Sequence, residues 1–369
     1  MVTTLVTNRV VRQSQSVDRA APVHAVPLEH VARGARTVAG TVNVDCDTLE
    51  NYAQGYGFDY RDRPNRIFTK ALPRLLDLLR ETGVRATFFV IGQDLTNPDH
   101  REVFHRALAE GHELANHTWS HPRQFAGLKP AVQEREVRRT HDLVAEHFGY
   151  RMTGFRAPCY DMDAAGIRLL ERLGYRYDSS VHPSPVVWLF DVVVWMKGLF
   201  RRWESRPNCL FNGFGPTIPY YPAPADLWRR GGPRQVIELP TNVWPMLRIP
   251  FYGTWHLEFG ESWFHRGLAL LVRHGVPLNY HLHAVELLGF REDGLDDRFA
   301  CHPGMHHSLF FKSEWVRRGL VTLGRHYRLV TAGELAEEFA GEKRRIDAPI
   351  VSPAEEVLQA RVLRLPVAG

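Results

Sequence analysis

Strand-like and helix-like stretches alternate along most of this chain, and that alternation restricts it to a few folds. Ala86-Thr-Phe-Phe-Val-Ile91, closed by Gly92, has the continuous apolar character of a buried strand. Before it, Arg36–Asp45 reads as a strand ending in acid. Thr69–Thr82 carries Leu72, Leu75, Leu76 and Leu79 at helical spacing and stops at Gly83. Pro98–Glu110 reads as a helix stopped by Gly111, His112–Asn116 as a strand, and Pro130–Phe148 as a charged helix stopped by Gly149. Thr153–Ala157 and Tyr175–Ser179 are strands flanking a helix over Ala164–Leu173. The rhythm breaks between Val181 and Gln235, then resumes. Val236–Leu239, Val276–His283 and Tyr327–Val330 read as strands; Glu261–His274, Ser313–Leu323 and Ala332–Phe339 read as helices. Repeated strand–helix units imply parallel strands joined by right-handed crossovers. Their number predicts an α/β chain folded as a closed or nearly closed barrel.

Residues 1–36 show no clear period and read as a poorly ordered arm; 37–342 form the barrel, interrupted by 181–235; 343–369 read as a peripheral tail. Apolar content of 44% and charged content of 24% in 369 residues supply a sizeable core. The net charge of +5 permits an anionic substrate or a membrane surface, but no Lys/Arg block points to nucleic acid. Cys46, Cys159, Cys209 and Cys301 are far apart and form no C-x-x-C pair. Neither a disulfide framework nor a zinc knuckle is expected, and the reading is a reducing, cytoplasmic compartment. The first forty residues lack a secretory leader pattern, and no apolar run approaches the roughly 20 residues that span a bilayer. Oligomeric state is not legible.

In a parallel barrel, chemistry gathers at the carboxyl ends of the strands. Asp45 and Asp47 follow the first strand, His117 follows His112–Asn116, Arg156 follows Thr153–Phe155, and His283 ends Val276–Leu282. Four such coincidences at four strand ends are hard to obtain from surface polarity alone. Asp45 and Asp47 project to the same side of an extended chain, which suits a shared site. His117 and His121 stand four apart, so a helical turn there brings both imidazoles to one ion. Isolated, that pair would read better as a polar turn, and Thr118 stands where the His-Glu-x-x-His motif has its base. His281 and His283 share a strand face, and Glu286 either supports them or begins a helix.

Five pieces in order carry a resemblance to the polysaccharide deacetylase superfamily (NodB homology, carbohydrate esterase 4). They are Val44-Asp-Cys-Asp-Thr48, Ala86–Gly92, His117-Thr-Trp-Ser-His-Pro122, Arg156-Ala-Pro-Cys-Tyr160 and Tyr280-His-Leu-His-Ala-Val-Glu286. The first resembles the D-x-D form used by some subgroups. The resemblance implies a distorted (β/α)7-type barrel, here with a helical insertion, and metal-assisted removal of an N-acyl group, acetyl or formyl, from an amino sugar or glycan. It implies one divalent metal on Asp47, His117 and His121, zinc foremost, with cobalt, nickel, manganese or iron as alternatives. It implies Asp45 as general base, Arg156 as its partner and His283 as general acid. The oxyanion is then held by the metal and a backbone N–H near Tyr160. The chain departs from the family at the fourth motif: Glu238-Leu-Pro-Thr-Asn-Val-Trp-Pro245 has no Asp to hold the histidine. Glu238 and Glu286 are the candidates to replace it, and Trp244 is the candidate to line an acyl pocket. Competing readings are a hydrolase of another non-peptide C–N amide bond and an inactive carbohydrate-binding relative; the full set of acids, histidines and Arg156 speaks against the latter.

The interrupting segment contains Val186–Trp203. On a helix, its Asp191, Lys197, Gly198, Arg201 and Arg202 fall in one arc, and Trp, Phe, Leu, Val and Met fill the rest. Such a helix is either a lid packed on the barrel or a peripheral contact with the inner membrane face. The aromatics that follow, Phe211, Phe214, Tyr220, Tyr221 and Trp228, read as exposed. Some members of the superfamily act on polyprenyl-linked sugars, which favours the membrane reading.

Overall fold

A computed structural model of the chain describes residues 38–186, 213–232 and 234–347. The arm 1–36, most of the Val186–Trp203 helix, Phe211 and the end of the tail lie outside those residues. The sheet is built from β1 (Ala39–Asp45), β2 (Ala86–Val90), β3 (Glu113–Asn116), β4 (Gly154–Phe155) and β5 (Tyr177–Asp178). β6 (Pro222–Ala223) and β7 (Asp226–Arg230) form a separate antiparallel hairpin. β8 (Ile237–Glu238), β9 (Leu278–His283) and β10 (Arg328–Leu329) complete the parallel sheet. β1 pairs with β9 and with β2; from β2 the order continues β3, β4, β5, β8. β10 pairs with the first two residues of β1. The result is a curled parallel barrel with helices outside it, as the alternation predicts.

The circuit closes between β8 and β9 by side chains. Asn279 Nδ2 donates to the carbonyls of Leu239 (2.7 Å) and Pro240 (3.0 Å), and the Asn279 N–H donates to Asn242 Oδ1. β4, β5 and β8 are two residues each, shorter than their sequence patterns.

Register delivers the site. β1 and β9 run in step, so Asp45 stands opposite His283 and Asn43 opposite His281. Val90 is level with Asn116, and Asn116 with Phe155, which puts His117 and Arg156 one residue further, on the same rim.

Among the described residues, two α-helices have no counterpart in the sequence reading. α1 (Leu49–Tyr56) is started by a capping box in which Thr48 and Asn51 bond each other's backbone N–H groups. A short helix, Gly253–Phe259, precedes Glu261–Arg273. The last helix runs to Asp347, beyond the expected barrel boundary at 342. Tyr220 and Tyr221 are buried rather than exposed, because Tyr220 pairs with Glu238 and its hydroxyl donates to Leu227 O, beneath the β6–β7 hairpin. Trp244 packs in an aromatic cluster, 5.4 Å from the ring of Trp263.

Candidate active site

The histidine loop is not a helical turn. Thr118 (φ 67°) and His121 (φ 55°) both adopt the left-handed conformation, which breaks any helix here. Neighbours over-determine that backbone. Asn116 Oδ1 accepts the Thr118 N–H (2.8 Å), and Glu136 Oε2 accepts those of Trp119 (3.1 Å) and Ser120 (2.8 Å). Thr118 Oγ1 accepts the N–H of His121 at 3.1 Å. The two imidazoles still meet, through two strained residues instead of one helical face.

Asp47 Oδ1 lies 3.4 Å from His117 Nε2 and 3.3 Å from His121 Nε2. His117 Nδ1 is 2.8 Å from the Arg156 carbonyl, which can only accept, so Nδ1 carries the proton and Nε2 presents its lone pair. Asp47 Oδ1 and both ring nitrogens of His121 are buried without a hydrogen-bond partner. Three donor atoms converging without a shared hydrogen bond are poorly satisfied by the protein alone and fit a divalent cation. Burial opposes ionisation of Asp47, His121 beside it favours ionisation, and its carboxyl is held well below the usual range.

Asp45 is 5% exposed and engaged on both sides. Arg156 Nη1 donates to its Oδ1 at 2.6 Å, while Arg156 Nε and Nη2 are fixed by Ser179 O (3.0 Å) and Ser179 Oγ (2.9 Å). Burial pushes the Asp45 carboxyl up; the Arg156 guanidinium pulls it down, and it stays ionised, well below the usual range.

The two β9 histidines separate in role. His281 is fully buried, with Nδ1 2.7 Å from Tyr160 Oη and Nε2 3.0 Å from Asp45 Oδ2. Burial, with His283 and Arg156 adding to it, pushes its pKa down to about 3, so the ring is neutral. His283 is one-fifth exposed, and its Nδ1 faces Thr254 Oγ1 (3.2 Å) and Glu286 Oε1 (3.5 Å). Thr254 itself donates to Glu286 Oε1 at 2.6 Å. Burial lowers the pKa of His283, but Glu286, with Asp45 and Asp47 behind it, raises it above the ordinary value. A Cβ at Gly253 would sit 2.4 Å from Glu286 Oε2, so a larger residue there would displace that carboxylate.

Of the two carboxylates that could replace the fourth-motif Asp, Glu286 stands beside His283. Glu238 lies across the β5–β8 register from Asp178, and its Oε1 accepts the Val181 N–H. Burial and then Asp178 push its carboxyl well up. The N–H of Tyr160 donates to Ala157 O (3.0 Å) and that of Asp161 to Pro158 O (3.1 Å), so neither is presented to an oxyanion. Thr254 and Glu136 carried no signal in the sequence; both depend on elements remote in the chain.

If His283 must be protonated to act, its raised pKa keeps the acid form to higher pH, and activity falls as pH rises through that pKa. Glu286→Gln removes the main attraction and leaves burial dominant, so the alkaline limb of the kcat profile should move to lower pH. An unmoved limb would mean that Glu286 does not tune His283.

Residues 56–177 match the polysaccharide deacetylase family model. A chitin deacetylase from Pestalotiopsis sp is 36% identical over 152 residues, 41% of this chain and 47% of its own. A peptidoglycan-N-acetylglucosamine deacetylase from Bacillus cereus is 29% identical over 179 residues, 46% of this chain and 59% of its own. The chain thus spans about half the length of these relatives. A crystal structure from Mycobacterium smegmatis assigned to the polysaccharide deacetylases matches with a TM-score of 0.53 at 18% identity, over 83% of this chain and 91% of that one, which is a likeness of fold.

Proposed function

We propose that this chain is a metal-dependent hydrolase that removes an N-acyl group, acetyl or formyl, from an amino sugar. The observation that carries this reading is the pairing of two sites at one rim. Asp47 Oδ1 and His121 are without hydrogen-bond partners beside His117 Nε2, and Asp45 is held ionised next to them by Arg156. A divalent cation on the first three residues, zinc foremost, supplies a bound water of lowered pKa and polarises the acyl carbonyl. Asp45, kept charged and fixed through Oδ1, takes the proton of the attacking water on Oδ2. His283, oriented by Glu286 and Thr254, delivers a proton from Nε2 to the leaving amine. Arg156 holds Asp45 rather than touching substrate.

The relatives named above act on chitin and peptidoglycan by their names, which supports a glycan substrate. We further propose a polyprenyl-linked sugar at the inner membrane face. Phe214, Met246 and Leu247 are 71%, 87% and 61% exposed. Arg248, next to Leu247, donates to the carbonyls of Pro183, Gly213 and Gly215, so this apolar tip adjoins both ends of 187–212. Met246→Ser with Leu247→Ser should weaken sedimentation with anionic liposomes. A wild-type chain that never binds liposomes removes the membrane part of the proposal.

The decisive assay is acid release by the metal-loaded protein from lipid and aqueous fractions of a bacterial extract, scored separately for acetate and formate. Release from the lipid fraction supports the linked sugar, and release from the aqueous fraction alone indicates a soluble glycan. Silence in both, with metal bound, overturns the amino-sugar reading in favour of another amide.

A further inference from the structure

We propose that Asp45, His281 and His283 form a second divalent-cation site, filled after the first and inhibitory when occupied. The inhibitory part rests on the reading of Asp45 and His283 as base and acid; the site itself rests on geometry. One donor atom from each of the three residues lies within 4.8 Å of the others. His281 Nε2 is 3.0 Å from Asp45 Oδ2, and this fully buried nitrogen has no other hydrogen-bond partner. A buried polar atom left so is costly, and a cation between the two atoms would satisfy both.

The surroundings are those of a ligand set. His281 Nδ1 meets Tyr160 Oη and leaves Nε2 facing Asp45 Oδ2, while His283 Nδ1 is taken by Thr254 and Glu286, which leaves its Nε2 as the nitrogen free to ligate. Outer partners of this kind orient metal-bound histidines. Asp45 gives Oδ1 to Arg156 and keeps Oδ2 for a cation. Two imidazoles and a carboxylate suit zinc, cobalt or nickel.

Charge sets the order of filling. Asp45 and Asp47 are two residues apart, so two dications would stand close together, and the Arg156 guanidinium already neutralises Asp45. The second ion therefore binds against repulsion and more weakly than the first. Once bound, it occupies the Asp45 oxygen that accepts a proton and the His283 nitrogen that donates one. Activity should rise with the first equivalent of metal and fall as the second binds.

The test is equilibrium dialysis of the full chain against Co2+, read by elemental analysis. Wild type should bind two equivalents of unequal affinity, and His281→Asn should bind one. His117→Asn should lose the tight equivalent. A single equivalent in saturated wild type, or two in His281→Asn, overturns the second site. His117→Asn retaining the tight equivalent would overturn the Asp47 site and, with it, the proposed order of filling. Should His281→Asn fail to fold, electron paramagnetic resonance of wild type carries the test. Spin-coupled Co2+ ions support adjacent sites, and two isolated signals overturn them.

Discussion

Asp45→Asn should lower turnover by roughly 10²- to 10⁴-fold, the usual worth of a positioned general base, while the tightly bound metal stays in place. Asparagine fills the same space and can still accept from Arg156 Nη1 through Oδ1, so the rim should keep its shape. What it loses is the charge that accepts a proton from the attacking water. The two acids of the D-x-D motif then separate by measurement. Asp47 faces both His117 and His121, so Asp47→Asn should lower metal content first and activity as a consequence. Asp45→Asn should lower activity with the tight equivalent unchanged. An active Asp45→Asn enzyme would sink the assignment of the base.

Much of this rim was legible in the chain because strand ends are marked by local chemistry. Ala86–Val90 is buried on every residue, and an unbroken apolar run before a glycine says so without tertiary information. Asp45, His117, Arg156 and His283 follow from strand ends in the same way. Contacts set by register or by distant residues were not legible. His281 and His283 look alike in sequence, and their separation into a buried ring against Asp45 and a one-fifth-exposed ring against Glu286 depends on the β1–β9 alignment. The left-handed turns at Thr118 and His121 depend on Glu136, which reaches the loop from a helix sixteen residues on. α1 was missed because it buries only Leu49 and Ala53; its cue was the Thr48-x-x-Asn51 cap.

Arg156→Met should destabilise the fold by about 3–5 kcal/mol, the usual cost of leaving one member of a buried ion pair alone. Arg156 is wholly inside the protein, and its guanidinium binds Asp45 and both the carbonyl and the hydroxyl of Ser179. Methionine fills much of the volume and satisfies none of those acceptors. The pH dependence has a defined sign. In the wild type, Asp45 titrates below its unfolded value, so it adds stability at neutral pH that is lost only as pH falls through the depressed pKa. Without Arg156, burial becomes the leading influence and moves that pKa upward; the carboxyl then takes up a proton on folding, and acidification favours the folded state. The deficit of Arg156→Met against wild type should therefore narrow as pH is lowered from neutral, measured by denaturant unfolding. A deficit that does not change with pH would mean the loss is one of packing. The pair can also be isolated directly. Asp45→Asn removes the stranded charge, so adding Arg156→Met to it should cost less than Arg156→Met costs alone. Arg156→Lys keeps the charge but lacks the planar fork that spans Asp45 and Ser179, so it should restore only part of the stability.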